Sequence, residues 1–240
     1  MNPDMILDWI RSEIQAFQQF LEKVPWPLIW DASLDTMIML GVSLAAAVPL
    51  GLMIGVLVFL TSPGQFWEQR WVYRILSAVI NITRSVPFII LLFAIMPFTR
   101  WLVGTTIGVK GVIPPLVLAA APFFARMTEI ALREVDPGVV EAAHAMGTPR
   151  LLIIWRVLLR EARVGLIAGV TLTAVNLVSY TAMSGVVGGG GLGDLAIRYG
   201  YQRWRPDVML VTVVLMTVLV QLLQSGGDRL VQQLSRKQFK

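Results

Sequence analysis

Three stretches of this 240-residue chain, 36–60, 164–193 and 208–227, run without Asp, Glu, Lys or Arg, and a fourth, 85–99, does so with an upstream extension interrupted by Arg84 alone. A helix needs roughly 20 apolar residues to cross the hydrocarbon of a bilayer, and a soluble fold rarely tolerates several such runs. The composition agrees: 56% of the residues are hydrophobic and 15% charged, against about 25% charge in an ordinary soluble domain, and the mean hydropathy is +0.70. Lipid is the expected solvent for most of the chain, and the expected fold is an all-α polytopic transmembrane bundle.

The runs resolve into five spans: residues 36–60, 75–98, 112–126, 164–184 and 208–227. Gly51 and Gly55 in the first form a small-xxx-small pair that either lets another helix approach closely or reflects the frequency of Gly in membrane helices. The second contains Pro87 and Arg84, a cation that either snorkels near the interface or faces a polar interior of the bundle. In the third, Pro114 and Pro115 suit a first helical turn. Ahead of the spans, Ile6, Ile10, Ile14, Phe17, Leu21 and Val24 recur at helical steps and predict an amphipathic helix, in the plane of the membrane or docked on a soluble partner, which Pro25 and Pro27 end. The domains expected are an N-terminal amphipathic segment 1–33, a transmembrane domain 34–227 with a polar loop 133–163, and a basic tail 228–240.

Lys and Arg sit between the apolar runs, which argues against nucleic acid despite the net charge of +5. The segments 61–74, 126–163 and 228–240 carry Arg70, Arg74, Arg126, Arg133, Arg150, Arg156, Arg160, Arg163, Arg229, Arg236, Lys237 and Lys240. The opposite side carries Arg11, Lys23, Arg100, Lys110, Arg198, Arg203 and Arg205. The positive-inside rule then places the C-terminus in the cytoplasm and the N-terminus outside, in a plasma (inner) membrane. Residues 1–8 are acidic and lack the basic n-region of a secretory signal, so no cleavage is expected. The absence of cysteine excludes disulfides, thiolate metal sites and a Cys nucleophile.

The loop 133–150 is too polar to be membrane and too helical to be a linker. Asp136 is an N-cap with Pro137 at the first helical position, and Gly147 is the matching stop, so a short helix over 137–146 presents Glu141, Ala142, Ala143 and Met146. Thr148 and Pro149 start the next helix in the same way. Small side chains at the centre and one carboxylate suit docking into a cleft of another protein; the alternative is a helix lying on the membrane surface.

Glu141-Ala-Ala-His-Ala-Met-Gly147 resembles the EAA-x-x-x-G motif of ABC-importer permeases. Asn81-Ile-Thr-Arg-Ser-Val-Pro-Phe-Ile-Ile-Leu-Leu92, Ala120-Ala-Pro-Phe-Phe-Ala-Arg-Met127 and the segment from Leu177 through Tyr180 to Gly193 look like the methionine-uptake type, so the resemblance covers about residues 34–235. It implies a type I importer fold in which Glu141, Ala142, Ala143, Met146 and Gly147 couple this chain to an ATP-hydrolysing subunit. It also implies a second copy of this chain, two ATP-binding subunits that hold ATP and Mg²⁺, an extracytoplasmic substrate-binding protein, and no cofactor on this chain. One departure stands out: where the family has prolines this chain has Arg160 and Arg163, so a weaker kink is expected entering the fourth span.

Other signals carry less. Gly188-Gly-Gly-Gly-Leu-Gly193 matches G-x-G-x-x-G formally, but follows a membrane helix rather than a strand and reads as a flexible extracytoplasmic turn. No P-loop motif occurs, so ATP acts through a partner. His144 has no second ligand near by in sequence, and Glu129, Glu134 and Asp136 read as caps and ion pairs. Asn176, Ser179, Tyr180, Thr181, Met183 and Ser184 bring polar and polarisable groups to bilayer depth, either as substrate path, with Asn176, Tyr180, Met183 and Ser184 as its walls, or as glue between two copies. A thioether beside an aromatic suits a thioether substrate.

Three functions remain distinct: a non-enzymatic permease subunit for methionine (L-, and also D-), a permease of the same family for another amino acid, and an ion-driven transporter or membrane enzyme. Against the last, the spans lack paired Asp, Glu or His at the midplane.

Overall fold

In the computed structural model, which describes Glu22 and residues 24–238 with side chains as far as Ser235, the first apolar run grows into helix α1, Trp26–Thr61. Pro25 caps it and Pro27 sits in its first turn, where a missing N–H costs nothing. Residues 26–33, assigned to the N-terminal segment, thus belong to the first spanning helix. The amphipathic helix expected over 1–24 lies outside the described residues, Glu22 and Val24 apart.

The second span is not one helix. It divides into α2, Arg70–Ser85, α3, Phe88–Ala94, and α4, Met96–Val103, with a bend of 105° between α2 and α3. Pro87 explains the break: its ring drives Val86 into extended backbone at φ −79°, ψ 124°, and Pro87 itself is extended. Helix α5, Gly108–Arg133, starts one turn earlier than expected, so Pro114 and Pro115 fall in its second turn. A capped helix α6, Pro137–Ala145, precedes α7, Arg150–Ile153, a π-helical stretch Ile154–Leu158, and a turn at Ala162 that opens α8, Arg163–Ser184. The approach to the fourth span thus carries a π-helical stretch and a turn at Ala162, with Arg160 and Arg163 where prolines were expected. A short α9, Gly191–Leu195, leads to α10, Pro206–Gln238, which runs into the basic tail as far as Gln238. No strand occurs among the described residues.

Two ends define the bundle. At one, Phe59 and Leu60 of α1 pack with Leu132 of α5 and Ile154 and Leu158 beyond α7. At the other, Ile29 of α1 packs with Leu192, Leu195 and Val208, and the Gly108 N–H donates to Gly188 O at 2.9 Å. The chain leaves α1 at the first end and enters α5 at the second, so the broken segment 70–107 must traverse the bundle. With the four long apolar helices this makes five crossings. Exposed tryptophans fall at both ends, Trp26, Trp30, Trp101 and Trp204 at one and Trp67, Trp71 and Trp155 at the other, as amphipathic rings do at the two membrane–water interfaces.

Helices α1 and α5 form the central pair. A Cβ on Gly51 would lie 2.7 Å from Ala121 O, and one on Gly55 2.5 Å from Ala125 O, so the small-xxx-small pair is a packing device. Between the helices and around them, Met39, Ala47, Leu92, Leu116 and Leu177 form one buried core.

The glycine run is not a flexible turn. Gly188, Gly190 and Gly191 hold positive φ, Leu192 N–H donates to Thr36 Oγ1 at 2.8 Å, and residues 191–195 are buried. A Cβ at Gly193 would meet Ala182 Cα at 2.4 Å, so glycine serves close backbone approach here.

Candidate functional site: the capped helix and the polar faces

Helix α6 is closed at both ends by its own sequence. Asp136 Oδ1 accepts the Gly138 N–H at 2.8 Å, and Pro137 needs no acceptor. At the other end Thr148 N–H reaches back to Ala143 O at 3.2 Å and Gly147 N–H to His144 O at 2.9 Å, with Gly147 at φ +71°. These two bonds are the Schellman pattern, which satisfies carbonyls the helix would otherwise leave unpaired. The helix ends at Ala145 and Met146 is its C-cap, one residue short of the expected 137–146.

Two contacts brace the helix from the connection after α1. Phe66 lies with its ring 6.3 Å from that of His144, and Arg150 Nη1 donates to Phe66 O at 3.4 Å. Glu68 folds that connection on itself, accepting from Gly64 N–H at 3.1 Å and Arg70 Nε at 3.0 Å. The Gly64 hydrogen bond, then Arg70, holds its carboxyl below the ordinary Glu value. Sequence reading missed this brace; Gly64 after Ser62-Pro63, with a carboxylate and an arginine two residues apart, was its only signal. Beneath it, Glu129 is 2% exposed and binds Arg126 Nη1 at 2.5 Å and Arg133 Nη2 at 2.8 Å. The ion-pair reading of Glu129 and the cap reading of Asp136 therefore hold.

The face of α6 turned away from the chain is specific. Glu141, Ala142 and Gly147 are exposed and Met146 is 78% exposed, whereas Ala143 is buried against the chain itself. Val140 packs toward Leu132, Ile154 and Leu158, and a cleft of about 310 Å³ lies beside it, walled by Phe59, Phe66, Arg133, Pro137 and Glu141. The helix is a rigid knob fixed to the bundle by one face and free on the other.

In α8 the polar residues divide. Ser184 is fully buried and donates to Thr181 O at 2.7 Å, and Thr181 donates to Val178 O at 2.7 Å, so both finish packing within their own helix. Ser179 and Met183 are exposed and Asn176 half-buried on one face. Tyr180 is turned partly inward and stacks on Phe88.

Residues 47–240 match the family described as "Binding-protein-dependent transport system inner membrane component". The chain belongs to this family. The permease is 48% identical over 210 residues to the "Probable D-methionine transport system permease protein MetI" of Vibrio cholerae, covering 88% of this chain and 93% of that one. It is 42% identical to the "Methionine import system permease protein MetP" of Bacillus subtilis, covering 88% and 96%. Among solved structures it superimposes with a TM-score of 0.84 at 45% identity on a chain of the inward-facing MetNI methionine ABC transporter, covering 88% of the permease and 97% of that chain. The type I importer fold read from the sequence is therefore the fold of the permease.

Proposed function

We propose that this permease is the membrane-spanning subunit of an ATP-driven methionine importer. Two copies form the pathway, two ATP-hydrolysing subunits that hold ATP and Mg²⁺ dock on their α6 helices, and an extracytoplasmic binding protein delivers the amino acid. Closure and opening of the ATP-hydrolysing pair, transmitted through Glu141, Ala142, Met146 and Gly147, switches the bundle between outward and inward access. The observation that carries this reading is the pairing of a rigid, outward-facing α6 with 42–48% identity, along 88% of the chain, to permeases named for methionine. The concentration of Lys and Arg at the α6 end supports a cytoplasmic position for that end and the C-terminus. Asn176, Tyr180 and Met183 remain as walls of the path; Ser184, buried in its own helix, does not.

The test is uptake into liposomes by the purified complex across a panel of amino acids. ATP-dependent uptake of L- or D-methionine is expected. Uptake of a different amino acid to the exclusion of methionine assigns another substrate, and gradient-driven uptake by this chain alone overturns the reading.

A further inference from the structure

Helix α2 has three faces. Tyr73, Leu76 and Ile80 pack against Ile54, Val58 and Ala125. Trp71, Ile75, Val79 and Ile82 are 75%, 60%, 56% and 66% exposed and form an apolar face suited to lipid. Arg70, Arg74, Ser77, Asn81 and Arg84, at steps of four, three, four and three, form a third stripe, exposed in the chain alone except for half-buried Ser77. The apolar face already fits lipid, and a polar stripe at membrane depth faces protein or water instead.

Arg84 is the deepest member. It lies 14 residues beyond Arg70, about 21 Å along the helix at 1.5 Å per residue. Its guanidinium carbon sits 5.7 Å from the ring centroid of Phe123, which itself lies 10 residues, or about 15 Å, from the end of α5 at Arg133. Arg126 is only three residues past Phe123, so Arg84 lies inside the membrane-spanning part of the bundle, toward its α6 end. Contact with a ring face holds the cation without using its N–H donors, and among the described residues no carboxylate pairs with it. Four residues on, past the bend, Phe88 stacks on Tyr180, the neighbour of exposed Ser179 on α8. This stack fastens the segment just past Arg84 to α8 beside its polar face.

Resting on the import reading above, we propose that Arg84 is the station at which the carboxylate of the amino acid is held in transit. Its planar fork matches a carboxylate with two parallel hydrogen bonds. Asn81, one turn away on the same stripe, adds a neutral polar group. Any α-amino acid carries this carboxylate, so the station sets the class of substrate while the binding protein sets the side chain.

The experiment compares wild type, Arg84→Gln and Arg84→Lys as the assembled complex with its ATP-hydrolysing and binding proteins, in phosphatidylcholine liposomes with and without phosphatidylglycerol. Loss of one charge-assisted carboxylate bond predicts that Arg84→Gln imports about tenfold fewer amino-acid molecules per ATP hydrolysed, in both lipids, while Arg84→Lys keeps an intermediate ratio. A wild-type ratio in Arg84→Gln overturns the proposal. A defect seen only with phosphatidylglycerol also overturns it and assigns Arg84 to a lipid phosphate. If Arg84→Gln fails to assemble, Arg84→Lys decides: a reduced ratio in an intact complex supports the station, and a wild-type ratio refutes it. Absence of uptake of every amino acid by the wild type would instead sink the import reading.

Discussion

The ring of Phe88 lies on that of Tyr180 with centroids 4.6 Å apart and planes 12° from parallel. This stack ties α3, the short helix after the Pro87 break, to the polar half of α8. Stacked aromatic pairs add about 0.5–1.5 kcal/mol beyond the area they bury. Tyr180→Ala and Phe88→Ala should each lower the rate of uptake, and the double variant should be little worse than either single one. Tyr180→Phe, which keeps the stack, should transport normally. Fully additive losses in a double-mutant cycle would show that the stack does not act as one unit.

Gly147 stands at φ +71° with open space where a Cβ would be. The cost of a side chain there is backbone strain rather than collision, about 1–2 kcal/mol for an L-residue and more for a β-branched one. Gly147→Val should leave the permease in the membrane and uncouple ATP hydrolysis from uptake, while Gly147→Asn, which tolerates the left-handed region, should keep most of the coupling. Equal uptake per ATP in Gly147→Val and wild type would remove the helix stop from the mechanism.

Gly55 and Gly41 lie on the same helix in opposite settings. A Cβ at Gly55 would lie 2.5 Å from both Ala125 O and Thr128 Cβ; at Gly41 it would meet nothing within 4 Å. Gly55→Ala should force α1 and α5 apart at a cost of about 1–3 kcal/mol. Gly41→Ala should be neutral or slightly stabilising, since Gly inside a helix costs about 0.5–1 kcal/mol relative to Ala. Thermal unfolding in detergent separates the two, and indistinguishable midpoints would contradict the close approach of the helices.

Glu129 is buried and holds two arginines that are themselves 31% and 42% exposed. Removing the carboxylate strands two cations that can turn to water, so Glu129→Gln should cost about 1–3 kcal/mol rather than the larger penalty of a wholly buried pair. Arg126→Gln should cost less, because Arg133 still satisfies one oxygen. Urea or thermal unfolding gives the order, and a milder effect of Glu129→Gln than of Arg126→Gln would reverse it.

Much of the fold could be read from local chemistry. Charge-free runs located the crossings, and Asp136, Pro137 and Gly147 fixed α6 to within one residue, because capping is decided by neighbours in sequence. What escaped was tertiary. Pro87 was visible, yet whether a proline kinks a span or breaks it into separate helices depends on what its freed groups pack against. The four glycines from Gly188 looked like slack; Thr36, which packs on Gly191 and accepts the Leu192 N–H, lies more than 150 residues away. Ala143 and Ser184 were grouped with exposed neighbours because their burial is set by helices that periodicity alone does not name. The three faces of α2 were present in the sequence as two interleaved stripes, but only the packed face shows which of them is left open.

The proposed coupling requires α6 to present one particular face to an ATP-hydrolysing partner, and the permease has no cysteine, so single cysteines test this directly. Met146→Cys, at a position 78% exposed, and Ala143→Cys, at one 5% exposed, should be compared by cross-linking in the assembled complex. A cross-link from position 146 to the ATP-hydrolysing subunit, strong without nucleotide and altered by ATP, with none from position 143, is the predicted result. No cross-link from 146, or equal reaction at both positions, would contradict the assignment of α6 as the coupling helix.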